Sequence, residues 1–291
     1  MHPQLSDIDV FHEEARIFRD PALQRRFLAD GFVVVDFLEP SQVEKLWDVW
    51  LSNPGDLSRL AFSSTVFSRD LDYRRTMHEY LIAEMEGPAQ SLLDAYRLGS
   101  CGFITKQPGK EEGVVELHQD PTMVDDTRFI ALGIWCPLVD VDLQNGCLRV
   151  VPGSHRINRR PREAMVIDFP YEELLRCIQN KYLADIPMKA GQAFIYTQTL
   201  FHSSLPNYSD KERLVAGSLA LPEGSHLRIY VRDEDKHPGL LAGYEVSDDY
   251  YRTYCLGTVP DENACIGFVE DKCEPLSEER LHEVLGSRLV S

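Results

Sequence analysis

The chain has 291 residues, 43% of them hydrophobic and 26% charged, with a net charge of −17 at neutral pH. That composition is globular and supplies a sizeable core, while the excess of acid weighs against nucleic acid or an anionic membrane surface as partner, since both are held by clustered Lys and Arg. No apolar run approaches the ~18 residues of a membrane span. The opening residues 1–14, with Asp7, Asp9, Glu13 and Glu14, have the wrong chemistry for a signal or transit peptide, so a cytoplasmic protein is expected. Seven scattered cysteines without a CxxC pair read as reduced structural thiols.

In chain order, Asp20-Pro21 opens a helix over 21–29 that Gly31 stops. The β-branched run 32–35 reads as a short buried strand. Pro40-Ser41 precedes an amphipathic helix that buries Val43, Leu46, Trp47 and Trp50, and a further helix is predicted over 79–93. After Gly99 short apolar runs alternate with turn signals: 101–105, 114–117, 129–135, 147–151, 192–196, 214–221 and 226–231. Pro108-Gly109, Asn145-Gly146, Pro152-Gly153 and Ala190-Gly191 punctuate them, a texture that indicates a β-barrel or two-sheet sandwich. A charged insertion at 159–185 carries one helix near 171–180, and an acidic tail ends in a helix near 277–285. The expectation is one domain, 1–291, with helical support in 1–98, a β core in 99–232 and a loop and helix extension in 233–291.

The most informative peptide is Leu117-His118-Gln119-Asp120. On a strand, residues two apart share a face, so His118 and Asp120 project together. An imidazole and a carboxylate on one face supply two members of a 2-His-1-carboxylate triad, which leaves part of an iron's coordination sphere open. A lone H-x-D is common by chance, so the third ligand decides the matter. His202, in Phe201-His202-Ser203-Ser204, follows a strand-like run and is the best placed of nine histidines.

Arg213 stands at the start of the apolar run 214–221. A chelating 2-oxo acid with a second carboxylate needs that far carboxylate neutralised inside the barrel. Arginine suits the task through its planar fork and its persistent charge. A hairpin through Pro206 and Asn207 would return Arg213 beside His202, and Ser204 could donate its hydroxyl to the same carboxylate. A surface ion pair is the plain alternative for an arginine standing alone.

With these residues in view the chain resembles the phytanoyl-CoA dioxygenase family of Fe(II)- and 2-oxoglutarate-dependent oxygenases. The resemblance runs from about Gly102 to Leu221: Thr105-Lys106-Gln107-Pro108, His118-Gln119-Asp120, Trp135, the stretch 145–155 with Asn145-Gly146-Cys147-Leu148 and Pro152-Gly153-Ser154-His155, His202-Ser203-Ser204 and Arg213. It implies a mainly β fold with flanking helices, built on a double-stranded β-helix (jelly-roll, cupin-like) core. It implies Fe(II) on His118, Asp120 and His202, with 2-oxoglutarate and O2 as co-substrates. Trp135, Ser204, Arg213, Lys106 and Gly102 would line the co-substrate pocket, although Lys106 reads equally as a solvated residue before a turn. His155 belongs to a turn and is not a ligand. Relatives that halogenate carry a small residue where Asp120 stands, so hydroxylation of an unactivated C–H bond is expected over halogenation.

Thr122, Met123 and Arg128, in the loop after the H-x-D, are candidates for the substrate wall, with Arg128 either pairing an acidic substrate group or exposed. Segment 61–75, with Phe62 and Phe67, either covers the pocket or packs as a helix. A small metabolite, of the kind handled in specialised metabolism, is the expected substrate. Two rivals stay open: a cupin-type metal enzyme without oxygenase activity, and a catalytically silent jelly-roll binding module. Binding of 2-oxoglutarate separates the first from the oxygenase; the intact set of His118, Asp120, His202 and Arg213 argues against the second, as would succinate release without prime substrate.

Overall fold

Residues 15–56, 59–164, 166, 169–254 and 257–286 are described by a computed structural model of the chain. The acidic N-terminal stretch and Cys255 lie outside the described residues.

The N-terminal helices form because their caps and apolar spacing agree. Asp20 accepts from the Ala22 N–H at the head of α1 (Pro21–Asp30), and the Gly31 N–H closes it on the Phe27 carbonyl at 2.7 Å. After strand β1 (Phe32–Asp36), helix α2 (Pro40–Ser52) buries Val43, Leu46 and Trp50 on one face. Strand β2 (Phe62–Ser64) is followed by α3 (Leu71–Leu92), which starts at Leu71 rather than at 79. Asp70 caps it by accepting from the Asp72 and Tyr73 N–H groups. Its buried face mixes Met77, Leu81 and Met85 with Arg74 and His78, which blurs the apolar period in the sequence.

Strand β3 (Tyr96–Lys106) opens the β region, with β4 (Val115–His118), β5 (Leu132–Pro137) and β6 (Leu148–Val150) after it. A short helix α4 (Leu175–Lys181) then precedes β7 (Ala184–Ile186), β8 (Gln192–Thr197), β9 (His202–Ser204) and β10 (Arg213–Pro222). Two antiparallel sheets result, ordered β1-β8-β5-β10-β3-β2 and β4-β9-β6-β7.

Strand alternation decides what lies between them. Phe103, Ile134, Ile195, Leu214 and Ala216 pack outward on the helices, in one core with Phe27, Leu46 and Leu81. Trp135, Phe194 and Val215 point the other way, toward Leu148 and Val150 of the smaller sheet. This is the jelly-roll core with helices on one face.

Three features differ from the sequence reading. The run 226–231 becomes β11 (Leu227–Arg232), which pairs with β12 (Leu240–Val246) in a separate sheet completed by β13 (Cys265–Glu270). The acidic tail is thus partly β, and it also carries the short α5 (Tyr250–Thr253) and the final α6 (Glu278–Leu285). The segment between β9 and β10 is no hairpin: β9 pairs with β4 and β6, whereas β10 pairs with β3 and β5. The chain crosses from one sheet to the other there. The six described cysteines are free thiols. No helix among the described residues is long and apolar enough to cross a membrane.

Phe103 is fully buried between β3 and α2, its ring 5.6 Å from that of Trp50. Phe103→Ala is expected to lower stability by about 3–5 kcal/mol in urea denaturation. A loss below about 1 kcal/mol would show that the helical layer is not part of the same packed unit.

Candidate metal centre

Antiparallel pairing of β4 with β9 makes His118 and His202 register partners, and their rings stand 4.2 Å apart. Each ring is aimed by its own backbone. His118 Nδ1–H donates to the Glu116 carbonyl at 2.7 Å and His202 Nδ1–H to the Leu200 carbonyl at 3.0 Å. Both Nε2 lone pairs therefore face Asp120 Oδ1, which lies 3.6 Å from His118 and 3.7 Å from His202. The three donor atoms lie within 4.8 Å of one another. Two neutral imidazoles and one carboxylate form a donor set that fits a divalent first-row metal.

The loop bearing Asp120 is held from several sides. Asp120 N–H donates to the Gln198 carbonyl, and Arg162 Nε, from the charged insertion, donates to the Asp120 carbonyl at 2.6 Å. Gln119, turned to the opposite face, is buried and exchanges hydrogen bonds with Asn158 while donating to the Thr199 carbonyl. Asp120 Oδ2 accepts from the Tyr196 hydroxyl at 2.7 Å, so only Oδ1 faces the imidazoles. Tyr196 reaches it because its register partner is Gly133, where a Cβ would stand 2.4 Å from the tyrosine ring. Burial opposes ionisation of Asp120, yet His202, His118 and the Tyr196 hydroxyl hold its carboxyl well below the usual range. Burial and the neighbouring His118 push His202 down to about 4. Tyr196 went unrecognised in the sequence because its strand assignment says nothing about what its hydroxyl meets.

Ser204, two residues after His202, leads to the second half of the site. Lys106 Nζ donates to Ser204 Oγ at 2.6 Å and to the Ser204 and Leu205 carbonyls. Lys106 and Arg213 are register partners on β3 and β10, and both are fully buried. Arg213 Nη1 donates to the Gly146 carbonyl at 2.9 Å, while its Nε and Nη2 have no hydrogen-bond partner. Its guanidinium stands 5.2 Å from the Trp135 ring centroid. Among the described residues no carboxylate compensates either cation. Burial and the adjacent Arg213 push Lys106 down to about 6, and burial pushes Arg213 down to about 9. Lys106 is thus no solvated turn residue. Gly102 lies on the same face of β3, but its missing side chain leaves room for Val66, which a Cβ would meet at 2.8 Å.

Beside His118 and Asp120 opens a cavity of about 560 Å³. Segment 61–75 contributes Phe62, Val66 and Phe67, the H-x-D loop Pro121 and Met123, and the insertion Val166. The core adds Ser100, Val115 and Leu219, and the C-terminal extension adds Tyr251. Of the three substrate-wall candidates only Met123 lines it. Thr122 is buried in a network with Asp126 and Arg162, and Arg128 is exposed with its guanidinium over Phe129. His155 sits in a turn away from the triad, against Gly31.

A jelly roll carrying a His-Asp-His triad defines the class. The family model for phytanoyl-CoA dioxygenase (PhyH) matches residues 27–215, and the chain belongs to that family. Phytanoyl-CoA dioxygenase from Arabidopsis thaliana is 36% identical over 114 residues, which cover 38% of this chain and 39% of the relative. Phytanoyl-CoA dioxygenase domain-containing protein 1 from Danio rerio is 34% identical over 119 residues, covering 39% and 40%. The matched stretch thus spans about two fifths of these relatives' length. Among solved structures, the non-heme alpha ketoglutarate dependent carbocyclase SnoK from nogalamycin biosynthesis superposes with a TM-score of 0.52 at 18% identity, over 74% of this chain and 87% of its own. HygX from Streptomyces hygroscopicus, solved with nickel and 2-oxoglutarate, gives 0.51 at 14% identity, over 70% and 88%. At such identities the likeness is one of fold.

Burying these basic groups carries a measurable cost. Lys106 has a folded pKa of about 6 against an ordinary 10.5, so its ionisation disfavours the folded state increasingly as pH falls through that window. Without 2-oxoglutarate, Lys106→Met should therefore gain stability over the parent as pH is lowered from about 10 to about 7, by up to ~1.4 kcal/mol per pH unit. The carbonyls it leaves unpaired add a pH-independent loss. A difference between variant and parent that stays flat with pH in urea denaturation would contradict the burial of a charge here.

Proposed function

We propose that this chain is an Fe(II)- and 2-oxoglutarate-dependent dioxygenase that hydroxylates an unactivated C–H bond of a small-molecule metabolite. His118 Nε2, Asp120 Oδ1 and His202 Nε2 would hold the iron. The observation that carries the reading is the pair of buried basic side chains without a carboxylate partner among the described residues, Lys106 and Arg213, joined to the triad strand through Ser204. A metal site alone fits many reactions. A metal site backed by a buried receptor for a carboxylate fits a co-substrate that chelates at one end and is anchored at the other.

With O2, iron and 2-oxoglutarate supply an oxidant for the C–H bond: one oxygen atom goes to the substrate as hydroxyl, the other to succinate, and CO2 leaves. The protein's own groups set the conditions. Tyr196 keeps Asp120 to one free oxygen, and the Nδ1–H bonds of both histidines lock their rings. Arg213 and Lys106 neutralise the far carboxylate, with Trp135 against the guanidinium. The apolar wall beside Asp120 keeps water from the reacting centre. Asp120 fills the position that a halide would need, which favours hydroxylation over halogenation.

Asp120→Ala should abolish succinate formation and Fe(II) binding while the circular dichroism spectrum is kept; turnover at the parent's rate would remove Asp120 from the ligand set. Chelation of the parent should stop succinate release and Fe(II) with ascorbate should restore it, whereas restoration by zinc alone would favour a cupin-type enzyme. Arg213→Ala should raise the dissociation constant for 2-oxoglutarate roughly ten- to a hundredfold, the worth of a charged hydrogen-bonded contact. An unchanged constant in calorimetry would place the anchor elsewhere.

A further inference from the structure

We propose that Cys177, Glu278 and His282 form a second metal site, suited to Zn2+, that clips the charged insertion to the C-terminal helix. The proposal is independent of the oxygenase reading, since it uses none of the residues assigned to iron or 2-oxoglutarate.

Two helices supply the three donors. Glu278 and His282 stand four apart on α6, so one helical turn places them on the same face, and Cys177 comes from α4. Beneath them Ile178, Tyr182, Leu281 and Leu285 are buried in one core with Leu117 and Phe201, so the donors meet over a packed base. Cys177 Sγ lies 3.2 Å from Glu278 Oε1, and His282 Nε2 lies 3.4 Å from the same oxygen. One donor atom from each residue fits within 4.8 Å of the others. A tetrahedral zinc with bonds of ~2.0–2.3 Å holds neighbouring donors roughly 3.3–3.7 Å apart, so these groups need only small shifts to close on an ion.

The imidazole is also aimed from behind. The hydroxyl of the buried Tyr182 hydrogen-bonds His282 Nδ1, which leaves Nε2 facing Glu278. In the metal-bound form Nδ1–H donates to that hydroxyl oxygen, the outer contact that fixes a ligating histidine. Lys181 Nζ donates to Glu278 Oε1 at 2.9 Å and is the group an ion must displace. Its side chain is 45% exposed, so it can turn into water when the ion arrives. A thiolate, an imidazole and a carboxylate make a softer set than the sulfur-free triad, and zinc takes it in preference to iron. Binding releases the Cys177 thiol proton to solvent, and water completes the tetrahedron. The clip would steady the insertion whose Arg162 donates to the Asp120 carbonyl.

The test titrates the full reduced chain with Co2+, which takes zinc's place and shows a thiolate-to-cobalt charge-transfer band in the near ultraviolet. The triad offers no sulfur, so the band reports the second site alone. The band should appear in the parent, persist in Asp120→Ala, vanish in Cys177→Ser and in His282→Ala, and be bleached by added Zn2+. Tyr182→Phe, which keeps the packing but drops the hydroxyl, should weaken Co2+ about tenfold or more. Zn2+ should also raise the melting temperature of Asp120→Ala and leave that of the Asp120→Ala, Cys177→Ser double variant unchanged. Absence of the band in the parent, its survival in Cys177→Ser or His282→Ala, or a Tyr182→Phe variant that binds Co2+ as the parent does would each overturn the proposal. Cys177 and His282 are both partly exposed, and circular dichroism confirms that each variant keeps the parent's fold.

Discussion

Two basic side chains buried side by side without an anion are the constraint around which the rest of this molecule is arranged. Lys106 and Arg213 face each other across β3 and β10, inside a sandwich whose inward side chains include Trp135, Phe194 and Val215. Among the described residues, carbonyls, one serine hydroxyl and the rings of Trp135 and Phe62 answer them. A core selected for stability alone would have put leucine or methionine there. The arrangement makes sense for a fold that spends part of its life with a carboxylate in that place, where attraction between opposite charges is strong because water is absent.

The members of the triad are aimed in two ways: the imidazoles by backbone carbonyls, the Asp120 carboxylate by the Tyr196 hydroxyl. Both imidazoles donate to carbonyls two residues back in the chain, Glu116 on β4 and Leu200 just before β9, so the local backbone sets ring orientation. Asp120 hangs from the loop just past β4, where strand pairing has ended, and correspondingly more contacts hold it: Gln198, Arg162 and Tyr196. Gly133 belongs to this set although it touches no candidate ligand, since any side chain there would displace the Tyr196 ring. A ligand on a loop has to borrow its order from neighbours that are themselves packed.

The sequence made His118, Asp120, His202 and Arg213 legible because period-two spacing and turn punctuation are local properties. Strands β3, β4, β5, β6, β8 and β10 were legible on the same ground. The pieces that escaped depend on contacts between distant segments. β2, β7 and β9 span three residues each and, unlike the equally short β6 within the apolar run 147–151, have no flanking apolar run to mark them. β12 and β13 lie in an acidic, turn-rich stretch; β12 carries a short buried run, Leu241 to Tyr244, and β13 alternates between half-buried and exposed. The path between β9 and β10 reads as a hairpin because Pro206 and Asn207 are turn residues, yet pairing partners from elsewhere capture each strand first. Thr122 and Arg128 sit close to Asp120 in sequence, but the loop turns them away from the cavity. Ser100 and Tyr251, far from it in sequence, reach the cavity.

That last contrast bears on how such a site changes. The groups proposed for iron and co-substrate all come from the two sheets and the loop after β4, whereas most of the cavity wall comes from outside the sheets. Val66 and Phe67 follow the short edge strand β2, Val166 belongs to the charged insertion, and Tyr251 sits on α5 in the C-terminal extension. Phe67 and Val166 are partly exposed, at 38% and 44%, which marks their side as the mouth. Segments joined to a rigid core by loops tolerate insertion and substitution far better than core strands do, because few buried backbone bonds cross them. Replacing residues at 66, 67, 166 or 251 would therefore reshape the cavity without disturbing the cations or the triad. Ser100 is the exception: it lies on β3, the same strand as Lys106, so a change there also risks moving a group proposed to hold the co-substrate.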